Sequence, residues 1–251
     1  MNLASTVALG TAIILGSSAL ASAETHHWSY FGKEGPTHWA ELNDQFKACA
    51  AGKNQSPIDI DTHRIQTAAL PALQFDYQSS ALHIVDNGHT VQVNLDPGSS
   101  LAVGKDRYQL VQLHFHHPSE ERIDGRRADM VAHLVHRDAE GRLAVVAVLL
   151  TSGKQNDMVE ALWDHLPKHK DSEASPKGVR IDPAALIPPK HSYFTYIGSL
   201  TTPPCTEGVR WLVLKSPQTL SEKEIATFAA HYPNDARPIQ QLNHRKVLST
   251  N

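Results

Sequence analysis

Three histidines in one short stretch constrain the fold of this chain more than any other feature. His114 and His116 are two positions apart. On a β-strand, side chains at i and i+2 point to the same face, so both imidazoles can reach one point above a sheet. After a polar turn, the strand-like run from Met130 to His136 would bring His133 beside them if the two strands pair antiparallel. The spacing therefore predicts a sheet with three converging imidazoles.

This arrangement indicates a metal site. Three protein ligands with an open fourth position are typical of a catalytic zinc, whereas structural zinc sites are closed by four ligands. We therefore interpret the three histidines as ligands of an ion that acts on a bound water. The chain contains 16 histidines, and we interpret four others as ordinary polar groups: His117, His136, His165 and His169. The spacing alone does not name the metal.

Residues 1–23 indicate an export signal peptide. They carry no charged side chain, hold an apolar run around Ala12 to Leu15 and end in the small-x-small pattern Ala21-Ser22-Ala23. The run is too short and too interrupted by Gly and Ser to span a bilayer. We expect a periplasmic or secreted protein that is not an integral membrane protein.

Residues 24–251 are long enough for one domain with a sizeable core. The net charge of -3 is mild, and no basic block suggests nucleic-acid binding. The chain has two cysteines, Cys49 and Cys205. An exported chain offers them a single intramolecular pairing, so we expect one disulfide.

Hydrophobic patterning predicts a mainly β domain built on a large sheet, with short peripheral helices. The predicted strands cover residues 73–77, 81–85, 90–95, 108–117, 130–136, 143–150, 191–198 and 209–214. The run 143–150 is apolar throughout, which is typical of a central strand covered on both faces. Asn87-Gly88 predicts a hairpin. One helix should start at Asn156 or Asp157 and end near Pro167, and a capping box at Ser221–Glu224 should open another.

Four motifs, two of which contain the histidines described above, resemble a known family. Together with Gly198–Cys205 (GSLTTPPC), the motifs HFH, PSE and AHLVH resemble α-class carbonic anhydrases of the exported bacterial kind. The resemblance covers nearly all of residues 24–251, from His27–Tyr30 through Gln55–Ile60 to Asn234–Pro238. It implies a large, mostly antiparallel, twisted central sheet with zinc in a conical cavity, and reversible hydration of carbon dioxide to bicarbonate and a proton.

The resemblance also assigns the catalytic roles. His114, His116 and His133 match the zinc ligands, with hydroxide as the nucleophile in the fourth position. Thr201 would accept the proton of that hydroxide, while Glu120 accepts the proton of the Thr201 hydroxyl. Without the resemblance, Glu120 would be interpreted as a solvated loop carboxylate. His89 matches the proton shuttle, since imidazole titrates near neutral pH; it could equally be a surface histidine after a turn.

Other residues match the surroundings of the family's site. Gln112 lies two before His114 and can hold its second nitrogen, although an exposed strand glutamine is an equally good interpretation. Tyr30 and Gln92 match residues that order a water chain. The residues that would receive carbon dioxide are Val135, Val145, Leu200, Thr202 and Trp211; core packing is the alternative for the apolar four. We expect inhibition by sulfonamides and anions, and the sequence leaves open whether the chain forms a homodimer.

Two positions depart from the family pattern. Val131 stands two before His133, where the family usually has Glu, and a valine cannot accept the proton of that imidazole. Losing such a partner typically costs about 10- to 100-fold in metal affinity or activity, so we predict looser zinc or slower turnover. Glu121 stands where His or another neutral polar residue is expected, so the family's network around Glu120 does not carry over to this chain automatically.

Two other functions fit parts of the sequence. His114-x-His116 followed by Glu120 matches the start of the metal motif of cupins, which would imply iron or manganese, although the expected glycines are missing. A binding module is the other, because relatives of this fold that have lost zinc ligands act as recognition domains. The presence of all three histidines argues against a binding module.

Overall fold

The computed structural model describes residues 27–251, so the predicted signal peptide lies outside the described residues. The strands are β1 (Asp59–Ile60), β2 (Gln66–Thr67), β3 (Leu73–Asp76), β4 (Ser80–Ala81), β5 (His83–Asp86), β6 (Val91–Asn94), β7 (Ser100–Val103), β8 (Asp106–His116), β9 (Arg122–Ile123), β10 (Met130–Arg137), β11 (Leu143–Ser152), β12 (Ser172–Ala174), β13 (Arg180–Ile181), β14 (Tyr193–Ser199), β15 (Glu207–Leu214), β16 (Gln218–Leu220) and β17 (Leu248–Ser249). The α-helices are α1 (Trp39–Leu42), α2 (Ala48–Ala51), α3 (Asp157–Trp163) and α4 (Glu222–His231), and 3-10 helices cover Gly32–Glu34, Asp44–Phe46 and Pro183–Leu186.

Thirteen of these strands form one large sheet, whose main path is β12-β5-β6-β8-β10-β11-β15-β14-β17-β2. Most neighbours are antiparallel; the parallel pairs in this sheet are β11 with β15, β11 with β16, and β17 with β2. The prediction of a mainly β fold on a large, mostly antiparallel sheet with short helices is confirmed.

The middle of this sheet is the ladder of β8, β10 and β11. β10 pairs antiparallel with both neighbours, and His133 lies directly opposite His114. The apolar run in β11 is buried from Ala144 to Leu150, as expected for a strand covered on both faces. Alternation along the central strands then assigns side chains to two different cores.

One face of the sheet carries the larger core, covered by α3 and α4. Phe115, between the two histidines of β8, points to this face and packs against Trp163 with ring centroids 5.1 Å apart. The opposite face holds the three histidines and a second apolar cluster that includes Val131 and Trp211. The strand period of two thus separates structural from candidate functional side chains.

The structure differs from the predicted elements at several boundaries. The predicted strand 81–85 is interrupted at Leu82, whose N–H donates to the carbonyl of Val179 instead of a ladder partner. β8 ends at His116 because the backbone N–H of His117 donates to the Asp235 carboxylate at 2.7 Å. β7, which pairs with β3 and β8, was not predicted. α3 begins after its N-cap Asn156, as predicted, but ends at Trp163, before Pro167.

The predicted disulfide is confirmed, since Cys49 and Cys205 are bonded with an S–S distance of 2.06 Å. It lies beside an aromatic cluster in which Trp28 and Trp39 have ring centroids 5.1 Å apart. Across residues 27–251, none of the helices has the length and apolar character needed to cross a lipid bilayer.

Candidate active site

The three predicted ligands lie together on one face of the sheet. His114 and His116 come from β8 and His133 from β10, and one ring nitrogen of each lies within 4.8 Å of the others. The β8–β10 register produces this meeting, because it places His133 opposite His114 while the strand period places His116 on the same face. The predicted convergence of three imidazoles is confirmed.

One ring nitrogen of each imidazole contacts a hydrogen-bond acceptor outside the group of three histidines. His114 Nδ1 lies 2.8 Å from Gln112 Oε1, and His116 Nδ1 lies 2.8 Å from the backbone carbonyl of Asp235. His133 Nε2 lies 3.1 Å from Glu121 Oε1. An amide oxygen, a carbonyl and an ionised carboxylate only accept, so these nitrogens carry the hydrogens and the remaining nitrogens have free lone pairs.

The electrostatics of the site suit a cation. His116 Nε2 and Glu120 Oε2 are buried, have no hydrogen-bond partner among residues 27–251 and lie 3.6 Å apart. Glu120, Glu121 and Asp235 place three buried carboxyl groups around the imidazoles. Three imidazoles gathered beside buried carboxyl groups form a donor set that fits a divalent ion such as zinc.

The pKa shifts reflect this environment. Burial, followed by the neighbouring His116 and His133, holds the pKa of His114 well below its usual range, which favours the neutral, ligating form. Burial lowers the pKa of His116, but the charges of Glu120 and Asp235 outweigh burial, so its pKa is raised. Burial raises the pKa of Asp235 to about 7 although His116 opposes the shift.

The expectation that His133 lacks a partner is wrong. Val131 is fully buried in the apolar cluster and offers no acceptor, but Glu121 reaches the same imidazole from the loop that follows β8. Both Glu121 carboxylate oxygens lie near His133 Nε2, at 3.1 and 3.3 Å. Glu120 Oε2 and Glu121 Oε1 face opposite nitrogens of the same His133 ring, at 3.9 and 3.1 Å.

Glu120 is held in place by a hydrogen bond from Arg237, in the segment 235–237 that is called the C-terminal segment below. Its Oε1 accepts a hydrogen bond from the backbone N–H of Arg237 at 2.8 Å, and its Oε2 faces the histidines. The Arg237 side chain is also buried and donates to the backbone carbonyls of Ser56 and Cys49 at 2.7 and 3.0 Å. Glu120 is therefore a fixed buried carboxylate and not a solvated one.

Thr201 is buried and lies in a loop that two backbone hydrogen bonds close. Leu200 N–H donates to the Thr206 carbonyl and Cys205 N–H to the Thr202 carbonyl, both at 2.9 Å. Between residues 27 and 251 no hydrogen bond joins Thr201 to Glu120, whose carboxylate accepts from the Arg237 N–H instead. The free Glu120 Oε2 leaves one acceptor position for such a bond.

The four apolar residues predicted to receive carbon dioxide belong to one cluster next to His133. Val145 and Trp211 are buried in the cluster on the histidine face, and Val135 and Leu200 pack against it half-buried. The ring centroids of His133 and Trp211 are 5.0 Å apart. Thr202 is half-buried in the neighbouring loop.

His89 lies outside the histidine cluster, stacked on Trp28 with ring centroids 3.6 Å apart. Both residues, with Tyr30 and Asp235, line a cavity of about 270 Å³. Asp235 links this cavity to the cluster, because its carbonyl accepts the hydrogen bond from His116. Burial, followed by the nearby His27, lowers the pKa of His89.

The two predicted water-ordering residues lie in different places. Tyr30 lines the same cavity, and its hydroxyl is buried with no hydrogen-bond partner among the described residues. Gln92 lies opposite His114 in the β6–β8 ladder and donates to Asn94 at 2.7 Å.

Sequence reasoning assigned no role to three groups that hold the site. The Asp235 carbonyl and the Arg237 N–H are backbone groups, which no residue type reveals. Glu121 carries a detectable signal, since a carboxylate adjacent to Glu120 becomes a candidate partner once position 131 is seen to lack one.

Comparison with known proteins agrees with this geometry. The family model for eukaryotic-type carbonic anhydrases matches residues 34–251. A carbonic anhydrase from Nostoc sp. is 42% identical over 243 residues, which cover 96% of this chain and 92% of the relative. One from Pectobacterium carotovorum is 40% identical over 243 residues, covering 96% of this chain and 98% of the relative.

A solved structure shows the same fold. The α-carbonic anhydrase from Thermovibrio ammonificans, in complex with the inhibitor sulfanilamide, superposes with a TM-score of 0.86 and 40% identity. The match covers 89% of this chain and 99% of that chain. The interpretation as a cupin is therefore wrong. The chain belongs to the eukaryotic-type carbonic anhydrase family and, by that membership, is a carbonate dehydratase.

Proposed function

We propose that the protein catalyses the reversible hydration of carbon dioxide to bicarbonate and a proton, with zinc held by His114, His116 and His133. The observation that carries this proposal is the convergence of three imidazoles within 4.8 Å, each bonded to an acceptor through its other nitrogen. When bound, zinc would lower the pKa of a coordinated water to about 7, a value known from carbonic anhydrases themselves.

Thr201 and Glu120 would orient the reacting group. With Glu120 Oε2 accepting the proton of the Thr201 hydroxyl, the oxygen of that hydroxyl could only accept a hydrogen bond. That polarity would direct a lone pair of the attacking oxygen toward the carbon of the substrate. Support comes from the burial of both residues and the free Oε2 atom.

The apolar cluster beside His133 would receive the uncharged substrate. Val135, Val145, Leu200 and Trp211 offer no strong hydrogen bond there, apart from the Trp211 indole, which already donates to Ser199 at 3.0 Å. Thr202 would contact the polar product at the edge of this wall. Carbon dioxide would thus be bound loosely and bicarbonate released easily.

His89 would move the released proton to solvent. It lines a cavity that reaches Asp235 next to the histidine cluster, and its imidazole can be neutral or charged near physiological pH. Tyr30 in the same cavity, and Gln92 beside His114, would order the water molecules between. The stack of His89 on Trp28 supports this role, since it would keep the imidazole at the cavity wall.

We further propose that residues 1–23 direct export and that the catalytic domain, residues 24–251, works in the periplasm or outside the cell. The Cys49–Cys205 disulfide supports this, because such bonds persist in oxidising compartments.

Stopped-flow measurement of carbon dioxide hydration tests the proposed activity. The purified protein should accelerate hydration, lose this activity after dialysis against a strong chelator and regain it with zinc. Metal analysis should find one zinc per chain, and a sulfonamide should inhibit, as sulfanilamide is described to do for the Thermovibrio enzyme. A zinc-loaded, folded protein that hydrates carbon dioxide no faster than buffer would refute the activity.

A further inference from the structure

We propose that Glu121 is the positioning residue for His133, supplying from a loop the carboxylate that the strand itself lacks. The proposal rests on the proposed function in one respect, that His133 is a zinc ligand. It concerns how tightly and in which orientation that ligand is held. Glu121 itself would touch neither zinc nor substrate.

The contact between the two residues is buried and specific. His133 Nε2 lies 3.1 and 3.3 Å from the two Glu121 carboxylate oxygens, and both side chains are at most 1% exposed. Within residues 27–251, Glu121 is the only hydrogen-bond acceptor that Nε2 contacts. Because an ionised carboxylate only accepts, the bond fixes the hydrogen on Nε2 and leaves the Nδ1 lone pair free for a metal.

Orientation of the ring agrees with this assignment. The Nδ1 atom of His133 faces inward, 3.9 Å from Glu120 Oε2, on the side of the other two histidines. The carboxylate behind the ring would also raise the basicity of Nδ1, as partners of metal-bound histidines generally do.

The loop that carries Glu121 is fixed on both sides of this residue. Ser119 Oγ donates to the Glu121 carbonyl and accepts from the Ala128 N–H, both at 2.9 Å. The next residue, Arg122, starts β9, which pairs in parallel with β1. A carboxylate anchored this way can position a ligand as firmly as one on a strand.

The strand offers no alternative acceptor. Val131 lies two before His133 and therefore on the same face, but it is fully buried among apolar side chains such as Ile58 and Ile60. The acceptor for His133 is thus supplied by the loop after β8, and among the described residues it is Glu121 alone.

Zinc retention tests the proposal without reference to activity. The Glu121→Met variant keeps a side chain of similar length but offers no strong hydrogen-bond acceptor, and its zinc should dissociate into a chromophoric chelator about 10- to 100-fold faster than that of the unmodified protein. Glu224→Met is the matched control, because Glu224 is also a buried carboxylate but lies at the start of α4. The control should retain zinc normally even if its thermal stability falls.

A compensating substitution separates proton acceptance from packing. In Glu121→Met/Val131→Glu, a carboxylate returns to the strand position on the face of His133, and zinc retention should recover by at least a few-fold over the single variant. Unchanged zinc loss in Glu121→Met overturns the proposal. No recovery in the folded double variant also overturns it, since Glu121 would then act by packing the loop.

If Glu121→Met does not fold, nitrogen-15 NMR of the unmodified zinc-loaded protein decides. A hydrogen on His133 Nε2, shifted downfield by a carboxylate partner, supports the proposal, whereas zinc on Nε2 overturns it. These readouts are distinguishable from failure of the proposed function. A protein that retains zinc through Glu121 but does not hydrate carbon dioxide would refute only the activity.

Discussion

His89 lies at the cavity wall and is the histidine proposed to carry the released proton. Burial against Trp28 lowers the pKa of His89, so its neutral, proton-accepting form should persist to a lower pH than that of a free imidazole. The shuttle should therefore remain able to accept protons in mildly acidic solution.

His89→Ala should slow hydration in weak buffer, because the proton then has no nearby acceptor. Added imidazole should restore the rate, whereas it should barely affect the unmodified protein. His231→Ala serves as a control, since this exposed histidine lines the same cavity at the end of α4. A variant whose lost rate imidazole cannot restore would remove the shuttle role from His89.

His136 shows what a histidine does on the other face of the sheet. It is fully buried, its Nε2 lies 2.7 Å from the Tyr77 hydroxyl, and its Nδ1 has no hydrogen-bond partner in the part of the chain that the structure describes. Burial lowers its pKa to about 4. The earlier interpretation as an ordinary polar group agrees with these contacts.

Acid should destabilise the protein partly through this residue. Between pH 6.5 and 4, His136 binds a proton in the unfolded chain but not in the folded chain. The free energy of unfolding must therefore fall as the pH falls. In urea unfolding, the stability lost between pH 7 and 4.5 should be about 2 kcal/mol smaller for His136→Gln than for the unmodified protein. Other titrating groups are common to both proteins and cancel. Equal losses would contradict the shift.

At the scale of elements, one carboxylate joins two helices. Glu224 completes the capping box of α4 by accepting from Ser221 N–H at 2.6 Å, and it accepts from Asn156 N–H, at the N-cap of α3, at 3.1 Å. Its carbonyl also accepts from the Trp163 indole at 3.1 Å. The two helices that cover the larger core are thereby fixed together.

Ser221→Ala should lower the free energy of unfolding by about 1 kcal/mol, the usual cost of losing an N-cap. Glu224→Ala should cost more, since it also removes the acceptor for Asn156. Ser216→Ala is a suitable control, because this hydroxyl makes no hydrogen bond within residues 27–251. Urea denaturation measures all three, and a Glu224→Ala cost no larger than that of Ser221→Ala would show that the link between helices contributes nothing.

Elements with a local signature were predictable from the sequence, and contacts between distant segments were not. The two-residue spacing of His114 and His116, the apolar run of β11 and the capping box of α4 each follow from a short pattern. β7 has only four residues between turns and little periodicity. The bond from His116 to the Asp235 carbonyl joins residues 119 apart through a backbone atom, which carries no sequence signal.

On the scale of the whole molecule, the disulfide connects helix α2 to the loop that carries Thr201 and Thr202. Cys49 and Cys205 are 156 residues apart in sequence. Closing so long a loop restricts the unfolded chain, and the chain-entropy model gives about 5 kcal/mol of stabilisation.

Cys49→Ser/Cys205→Ser should lower the unfolding free energy by about 2 to 5 kcal/mol, measured by urea denaturation. Reduction of the unmodified protein should produce a similar loss, which serves as the control for the substitutions themselves. Stability unaffected by either treatment would show that the bond restricts little of the unfolded ensemble.

The C-terminal segment contributes Asp235, whose carbonyl accepts from His116, and Arg237, whose N–H donates to Glu120. During synthesis the ribosome therefore releases His116 at a point 119 residues before the carbonyl that accepts its hydrogen bond, whereas the partners of His114 and His133 emerge close to them. A nascent chain that stops before residue 235 would contain all three histidines, but His116 and Glu120 would lack the backbone groups that orient them. If the three histidines bind zinc as proposed, tight binding would have to wait until residue 237 has been synthesised and has folded onto the sheet.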